Sequence, residues 1–443
     1  MEYSPILNGN VIPHGWTIIK LIDVATYISR GKQPKYVEKS EILTLNQRAI
    51  QWGKIEEQYL KYHNPEVKVQ ENHFIKKDDV VINSTGTGTV GRVFHFSEEV
   101  AKNLFADSHV TIIRTKEKKL LSRYLMYHLS DTRYQEYILN NFVTGSTGQV
   151  ELNKSNVKEF PILLPPIETQ QKIVKTLSSL DNKIMKNHEI IFNLEQLAQT
   201  LFKRWFVDFE YPNENGLPYK SSGGEMQNSE LGEIPKGWKI NMISDLIDVI
   251  DNRGKTPQLE NKSTIHPIID VKALSGKSRI IDINNCSKYV SEATYNTWFR
   301  NGHPQELDIL FSTVGSIGSI KMFYGNIGCI AQNVVALRAN KISPFYFYQY
   351  IESQKADIAT YNIGSVQPSI KVTHFIKRKI LVPTNIVERE FHNKIINISS
   401  LVYSLSKENK LLSNLRDTLL PKLLSGEMEL PIETEVKEDV PVS

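Results

Sequence analysis

The sequence predicts an α+β chain made of two copies of one unit, each closed by a long heptad helix. Three observations carry that expectation. Short segments recur at a near-constant offset, strand-like runs mix with short helical ones ahead of each long helix, and each long stretch keeps a four-three apolar rhythm. With 443 residues, 40% of them hydrophobic, the chain has material for two or three globular units of roughly 100 to 200 residues.

The repeat can be followed element by element. Ile12-Pro13-His14-Gly15-Trp16 returns as Ile234-Pro235-Lys236-Gly237-Trp238, and Arg30-Gly31-Lys32-Gln33-Pro34 returns as Arg253-Gly254-Lys255-Thr256-Pro257. Asp79 leads a β-type run that ends in Gly88-Thr89-Val90-Gly91, and Asp308 leads a similar run that ends in Gly315-Ser316-Ile317-Gly318. Gly145-Ser146, with Gln149 and Leu152, is echoed by Gly364-Ser365, with Gln367 and Ile370, and Pro165 answers to Pro383. Within the copies, Asp79 to Asn83, Val110 to Arg114, Asp308 to Phe311 and Asn333 to Arg338 read as strands. Tyr124 to Tyr137 and Pro344 to Ala359 have helical spacing with aromatics on one side, which suits a core better than a base-stacking platform.

After Pro166 and Pro383 come long stretches without glycine or proline, the mark of uninterrupted helices. Ile173, Leu177, Leu180, Ile184, Asn187, Ile191, Leu194, Ala198, Leu201 and Trp205 alternate four-three, as do Phe391, Ile395, Ile398, Val402, Leu405, Asn409, Leu412, Arg416 and Leu419. Each seam holds one asparagine, a residue that fixes register in a coiled coil at some cost in stability. The expected organisation is a first globular unit at 1–166, a helix at 167–209, a Pro/Gly/Ser-rich linker at 210–233, a second unit at 234–383, a helix at 384–426 and an acidic tail at 427–443. The tail, with Glu433, Glu435, Glu438 and Asp439, reads as disordered and solvent-facing.

Charge and motif content bound the function. Lys and Arg number 53 against 49 Asp and Glu, so any nucleic-acid surface is a local patch. Cys286 and Cys329 are the only cysteines, which excludes a disulfide scaffold and points to reduced, cytoplasmic thiols. Met1 to Trp16 lacks a basic start followed by an apolar stretch, and no run approaches the ~20 apolar residues that span a bilayer. Gly254 to Thr256 and Gly276 to Ser278 have no glycine five residues earlier, so neither is a Walker A loop, and no H-E-x-x-H or G-x-S-x-G occurs. The methylation motif Asn-Pro-Pro-aromatic is absent as well. Asp107 with Glu117-Lys118-Lys119 is the one nuclease-like arrangement, a spacing common among 49 carboxylates and without a counterpart in the second copy.

Recognition is what remains. Arg30, Lys32, Lys35 and Tyr36 cluster in one loop, and Arg253, Lys255 and Thr256 occupy the equivalent loop, offering cations to phosphates beside groups that reach base edges. A glycine-proline turn shared by the fold explains the same recurrence equally well.

Four segments stand out in order along the chain: Leu201-Phe202-Lys203-Arg204-Trp205-Phe206-Val207-Asp208-Phe209, the linker with Asn215-Gly216, Pro218 and Ser221-Ser222-Gly223-Gly224-Glu225, the restart Leu231 to Trp238, and Leu415-Arg416-Asp417-Thr418-Leu419-Leu420-Pro421 with Lys422 to Gly426. With them the sequence resembles, over nearly the whole chain, the specificity subunit of type I restriction-modification systems. The resemblance implies two target recognition domains alternating with two long antiparallel coiled-coil helices in pseudo-two-fold symmetry. Each domain would read half of a split sequence in double-stranded DNA. The helices would space the half-sites and dock modification (methyltransferase) subunits, two by expectation, which restriction subunits join. S-adenosylmethionine, ATP and magnesium would belong to those partners and none to this chain, which would be no enzyme itself. A helix from Ile173 to Trp205 would span roughly 50 Å, enough to hold two reading heads about one turn of DNA, roughly 34 to 36 Å, apart.

Base-reading residues do not transfer from the family, so the choice rests on chemistry: Arg30, Lys32, Lys35, Arg48, Thr85, Thr87 and Ser146 in the first copy, and Arg253, Lys255, Thr256, Ser316 and Ser365 in the second. A metal-dependent endonuclease at Asp107 and Glu117, and a coiled-coil scaffold without DNA binding, are the other classes that the sequence leaves open.

Overall fold

The computed structural model describes residues 5–7, 11–100, 103–145, 150–276, 278–281, 283–325, 327–364 and 368–430. Ser146 and Ser365, with Gln149, Gln367 and residues 431–443 of the acidic tail, lie outside them. Two compact units result, Met1–Ile184 with Leu411–Ser443, and Met185–Lys410.

The first unit is built on a four-stranded antiparallel sheet ordered Ala25–Arg30, Val110–Thr115, Val80–Asn83, Val93–His95. Val80–Asn83 is buried at every position, as expected of a continuous apolar run covered on both faces. Val80, Ile82 and Ile113 join a core with Tyr124, Leu125 and Leu129 of the helix Ser122–Ser130. Val81, Val110 and Ile112 face the opposite way, against Leu45, Ala49 and Ile50. A smaller sheet beside it pairs Leu104–Ala106 with Leu43–Leu45 in parallel.

The second unit repeats this order with Ile247–Ile250, Val334–Ala339, Ile309–Ser312 and Ile320–Met322. It also repeats a parallel pair, Ile268–Ile269 with Cys329–Ile330. Even an internal ion pair recurs, Arg114 to Asp79 at 2.7 Å and Arg338 to Asp308 at 2.8 Å. The strand-like runs expected from the sequence therefore lie in the two central sheets.

The helical runs differ from expectation in one respect: each is broken in two. Tyr124 to Tyr137 is divided at Asp131, whose carboxylate leaves one helix to accept from the backbone N–H groups of Arg133 and Tyr134 and cap the helix Thr132–Asn141. Pro344–Ser353 and Lys355–Thr360 are divided at Gln354.

The central helix, Ile167–Phe202, continues into a π-helical turn at Lys203–Val207. The distal helix, Asn385–Ser425, runs through Pro421 in its last turns, where Arg133 Nη2 donates to the Pro421 carbonyl at 3.1 Å. Their contacts run antiparallel. In the first unit Arg416, the charged member of its seam, meets Asp181 at 3.0 Å. In the second, Asn187 Nδ2 donates to Asn409 Oδ1 at 2.9 Å, and Trp205 and Phe206 lie against Phe391. Ile173, Leu177, Asn187, Ile191, Ile395, Val402 and Asn409 are buried, whereas Leu180, Ile184, Leu194, Ile398, Leu405 and Leu412 are half-buried. The reason is that two helices cover a seam from one side only, while Ile173, Leu177 and Ile395 are completed by the cores of the globular units.

Residues 210–233, read from composition as a linker, are folded onto the second unit. Tyr211 stacks on Tyr219 and on Trp238, with ring centroids 4.6 and 5.3 Å apart, and Met226–Ser229 pairs with Gly232–Pro235 as a hairpin. Among the described residues no helix is long and apolar enough to cross a membrane.

Candidate nucleic-acid interface

Strand register brings distant loops to one end of each sheet. In the first unit Thr111 pairs with Arg30 and Val110 with Asn83, so loops 31–36, 84–91 and 107–109 emerge together. The loop 46–52 joins them: Thr85 Oγ1 donates to Gln47 Oε1 at 2.6 Å, Asn83 Nδ2 to the Gln47 carbonyl, and Arg92 Nη1 to Gln51 Oε1 at 2.6 Å. Gly31 presses into this junction, its N–H donating to the Val110 carbonyl while the Lys32 N–H donates to that of Ala106.

The expected contact residues divide sharply. Arg30 faces inward, paired with Glu151 at 2.7 Å and donating to the Leu152 carbonyl at 2.8 Å, so it ties two loops and is not a free cation. Lys32 is likewise engaged, its ammonium donating to the Lys68 carbonyl at 2.6 Å. Thr85 spends its hydroxyl on Gln47 and on His109 Nδ1. Lys35, Arg48 and Thr87 are exposed. Tyr36, also exposed, carries the Lys61 ammonium 4.7 Å from its ring centroid. Sequence reasoning missed Gln33, Gln47, Ser108, His109 and the exposed Trp52. Trp52 was legible, since Trp52-Gly53 between two short alternating runs is a two-residue hairpin turn.

Asp107 sits under this surface, buried, its Oδ1 accepting the His109 N–H at 2.7 Å. Burial raises its carboxyl to about 6, against a partial lowering by that N–H. The folded chain therefore binds this proton more tightly than the unfolded one, and the group's contribution to stability falls as pH rises from about 4 through 6. Asp107→Asn keeps the acceptor for His109 and removes the charge. It should raise stability at pH 7, by up to about 3 kcal/mol, and flatten that part of the profile. Urea titrations at pH 4 and pH 7 check it, and an unaltered pH dependence would refute it.

In the second unit Ile250 pairs with Ala336 and Ser312 with Val334, which places the Arg253 loop, the turn at 313–318 and Gln332-Asn333 at the equivalent end. Arg253 is closed on Asp251 through two hydrogen bonds of 2.8 and 2.6 Å. Lys255 and Ser316 are exposed, and no ion pair to Lys255 occurs among the described residues. Thr256 accepts from Gln332 Nε2 and borders a cleft of ≈ 310 Å³ with Pro257, Lys272, Lys288, Gln332 and Asn333. The two lysines are exposed cations that the sequence did not single out.

The nuclease arrangement does not form. Asp107 precedes and Glu117 follows the six-residue strand Val110–Thr115, which separates them by roughly 20 Å. Glu117 instead accepts from Thr115 Oγ1 and the Ser122 N–H, closing the turn before a helix.

Similarity to known proteins identifies the family of the chain. The sequence matches the family described as "Type I restriction modification DNA specificity domain" over residues 13–228 and 235–396, one block for each repeat. It is 28% identical over 323 residues to the type I restriction enzyme MjaIX specificity subunit of Methanocaldococcus jannaschii, covering 70% of each chain. It is 24% identical over 413 residues to the HindI specificity subunit of Haemophilus influenzae, covering 81% of this chain and 88% of that one. The crystal structure of the type I S subunit from M. genitalium shares the fold, with a TM-score of 0.55 at 17% identity over 98% of this chain and 99% of that one. With both repeats matched and the same fold in a solved relative, the chain belongs to the specificity subunits of type I restriction-modification systems, the non-catalytic DNA-recognition component of those systems.

Proposed function

We propose that each unit reads one half of a split double-stranded DNA target with the loop end described above, and that the two helices set the unread spacer and dock the modification subunits, two per chain. Restriction subunits join that assembly in the cytoplasm. S-adenosylmethionine, ATP and magnesium act on those partners, and this chain supplies address rather than chemistry.

One observation carries the reading. The same loops end on the same sheet positions in both units but present different side chains, Gln33, Ser108 and His109 in one and Thr256, Gln332 and Asn333 in the other. A shared frame with changed edges suits two half-sites of different sequence. Docking is supported by apolar side chains left exposed along the helices: Met185, Phe192 and Leu197 on the central one, Ile396 and Leu401 on the distal one.

The test is a base-resolution map of DNA methylation in cells that co-express this chain with its modification subunit, against cells lacking this chain. A split motif that depends on the chain, and that changes in one half when one unit is exchanged, is the expected result. Unchanged methylation from an assembled complex would overturn the proposal.

A further inference from the structure

The two sheets reveal a correspondence that the repeat in sequence hides. Gln33 and Thr256 hold the same place in the two Arg-Gly-Lys-x-Pro segments, and Ser108 and Gln332 each stand two residues ahead of a central strand, Val110–Thr115 and Val334–Ala339. In the first unit Ser108 Oγ donates to Gln33 Oε1 at 2.7 Å. In the second, Gln332 Nε2 donates to Thr256 Oγ1 at 2.5 Å. Each unit thus joins the same two loops by one bond between an amide and a hydroxyl, but the amide stands on opposite loops. The link is kept while the chemistry it presents is exchanged.

Three of the polar side chains at this end are already committed. Arg30 is held by Glu151, Arg253 by Asp251, and Thr85 by Gln47 and His109. Gln33 and Gln332 are exposed, and the hydroxyl uses only part of an amide's capacity of two N–H groups and two lone pairs. What is left matches the N7 acceptor and N6 donor that adenine shows in the major groove. The hydroxyl link also holds the long side chain before DNA arrives, which lowers the entropy lost on binding. Gln332 is fixed further by its backbone, at φ 56 in the left-handed region, where a non-glycine residue stays only if its surroundings hold it. Lys35 and Arg48 in one unit, and Lys255, Lys272 and Lys288 in the other, are exposed cations for flanking phosphates.

We propose that Gln33 and Gln332 are the base-reading amides of the two units, each specifying one A·T pair in its own half-site. This rests on the half-site reading proposed above and assigns residues within it.

The experiment uses the full chain with its modification subunit and maps methylation at base resolution. Gln33→Ala should relax one A·T position in the first unit's half-site, with discrimination there falling roughly 5- to 150-fold, and leave the other half unchanged. Gln332→Ala should do the same in the opposite half. Gln33→Glu and Gln332→Glu keep the size of the side chain but offer only acceptors, so preference at that position should move from adenine toward cytosine. An unchanged motif, or methylation weakened evenly across an unchanged motif, overturns the inference and leaves half-site reading standing. A parent chain that directs no split motif overturns the underlying reading instead.

Discussion

Glu195→Ala is expected to lower the melting temperature of the second unit by roughly 6 to 20 °C in scanning calorimetry. The Arg279 side chain is only 1% exposed, and every arm of its guanidinium is used. Nε donates to Glu195 Oε1 at 2.6 Å, Nη2 to the other Glu195 oxygen, and Nη1 to Ser399 Oγ at 2.8 Å, while Cζ lies 5.2 Å from the Tyr348 ring centroid. Glu195 belongs to the central helix and Ser399 to the distal one, so a single residue of the recognition unit grips both. Removing the carboxylate leaves a buried cation that cannot neutralise, a loss of about 3 to 5 kcal/mol. Arg279→Met combined with Glu195→Leu should restore most of the stability, because an apolar pair of similar volume needs no charge compensation. A single variant that melts within about 2 °C of the parent, less than 1 kcal/mol for a unit of this size, would show that the pair is not buried in solution.

Gly31→Ala should be the most damaging substitution in the first unit's reading surface, while Gly254→Ala, at the matching place, should be far milder. A Cβ at Gly31 would lie 1.9 Å from the Ala106 carbonyl oxygen, a backbone atom with nowhere to go. The loop would have to leave the sheet, breaking the bonds from Gly31 to Val110 and from Lys32 to Ala106, at about 3 kcal/mol or more. A Cβ at Gly254 meets nothing within 4 Å, and its only difficulty is a φ of 105°, worth roughly 1 to 2 kcal/mol. Denaturant titrations should order the variants this way, and methylation maps should show the first unit's half-site weakened by Gly31→Ala. Equal effects of the two variants would mean that Gly31 does not approach the neighbouring strand.

That contrast answers a question the repeat left open. Arg-Gly-Lys-x-Pro recurs, yet its glycine is required for a close approach in one copy and for a left-handed turn in the other. Its arginines are likewise not the phosphate contacts they resemble. Asp251, two residues from Arg253, made that pairing legible, whereas Glu151, the partner of Arg30, is far along the chain and nothing local announces it. The long helices were legible because a four-three rhythm over so many turns has few other solutions. Val80–Asn83 and Ile309–Ser312 were legible because strands buried on both faces read as near-continuous apolar runs, here three residues each before Asn83 and Ser312. The break at Asp131 was not, since helical spacing continues on both sides of it. Residues 210–233 have the composition of a linker, and only the stacking of Tyr211 and Tyr219 beside Trp238 reveals a folded segment. Gln33 and Gln332 went unnoticed because their partners, Thr256 included, lie more than seventy positions away.

The restart segments have a topological consequence. In the second unit the turn that ends the central helix packs on the Ile-Pro-x-Gly-Trp restart, with Phe206 and Phe209 against Trp238. In the first unit the end of the distal helix meets the other restart, where a Cβ at Gly426 would touch Pro13 and Trp16. One junction is joined by continuous chain and the other by contact alone. In each unit a long helix therefore ends on an Ile-Pro-x-Gly-Trp restart, through continuous chain in the second and through contact alone in the first. A circular permutant opened in the turn around Asn215-Gly216 and closed between the distal helix and Ile12 would exchange which junction is covalent.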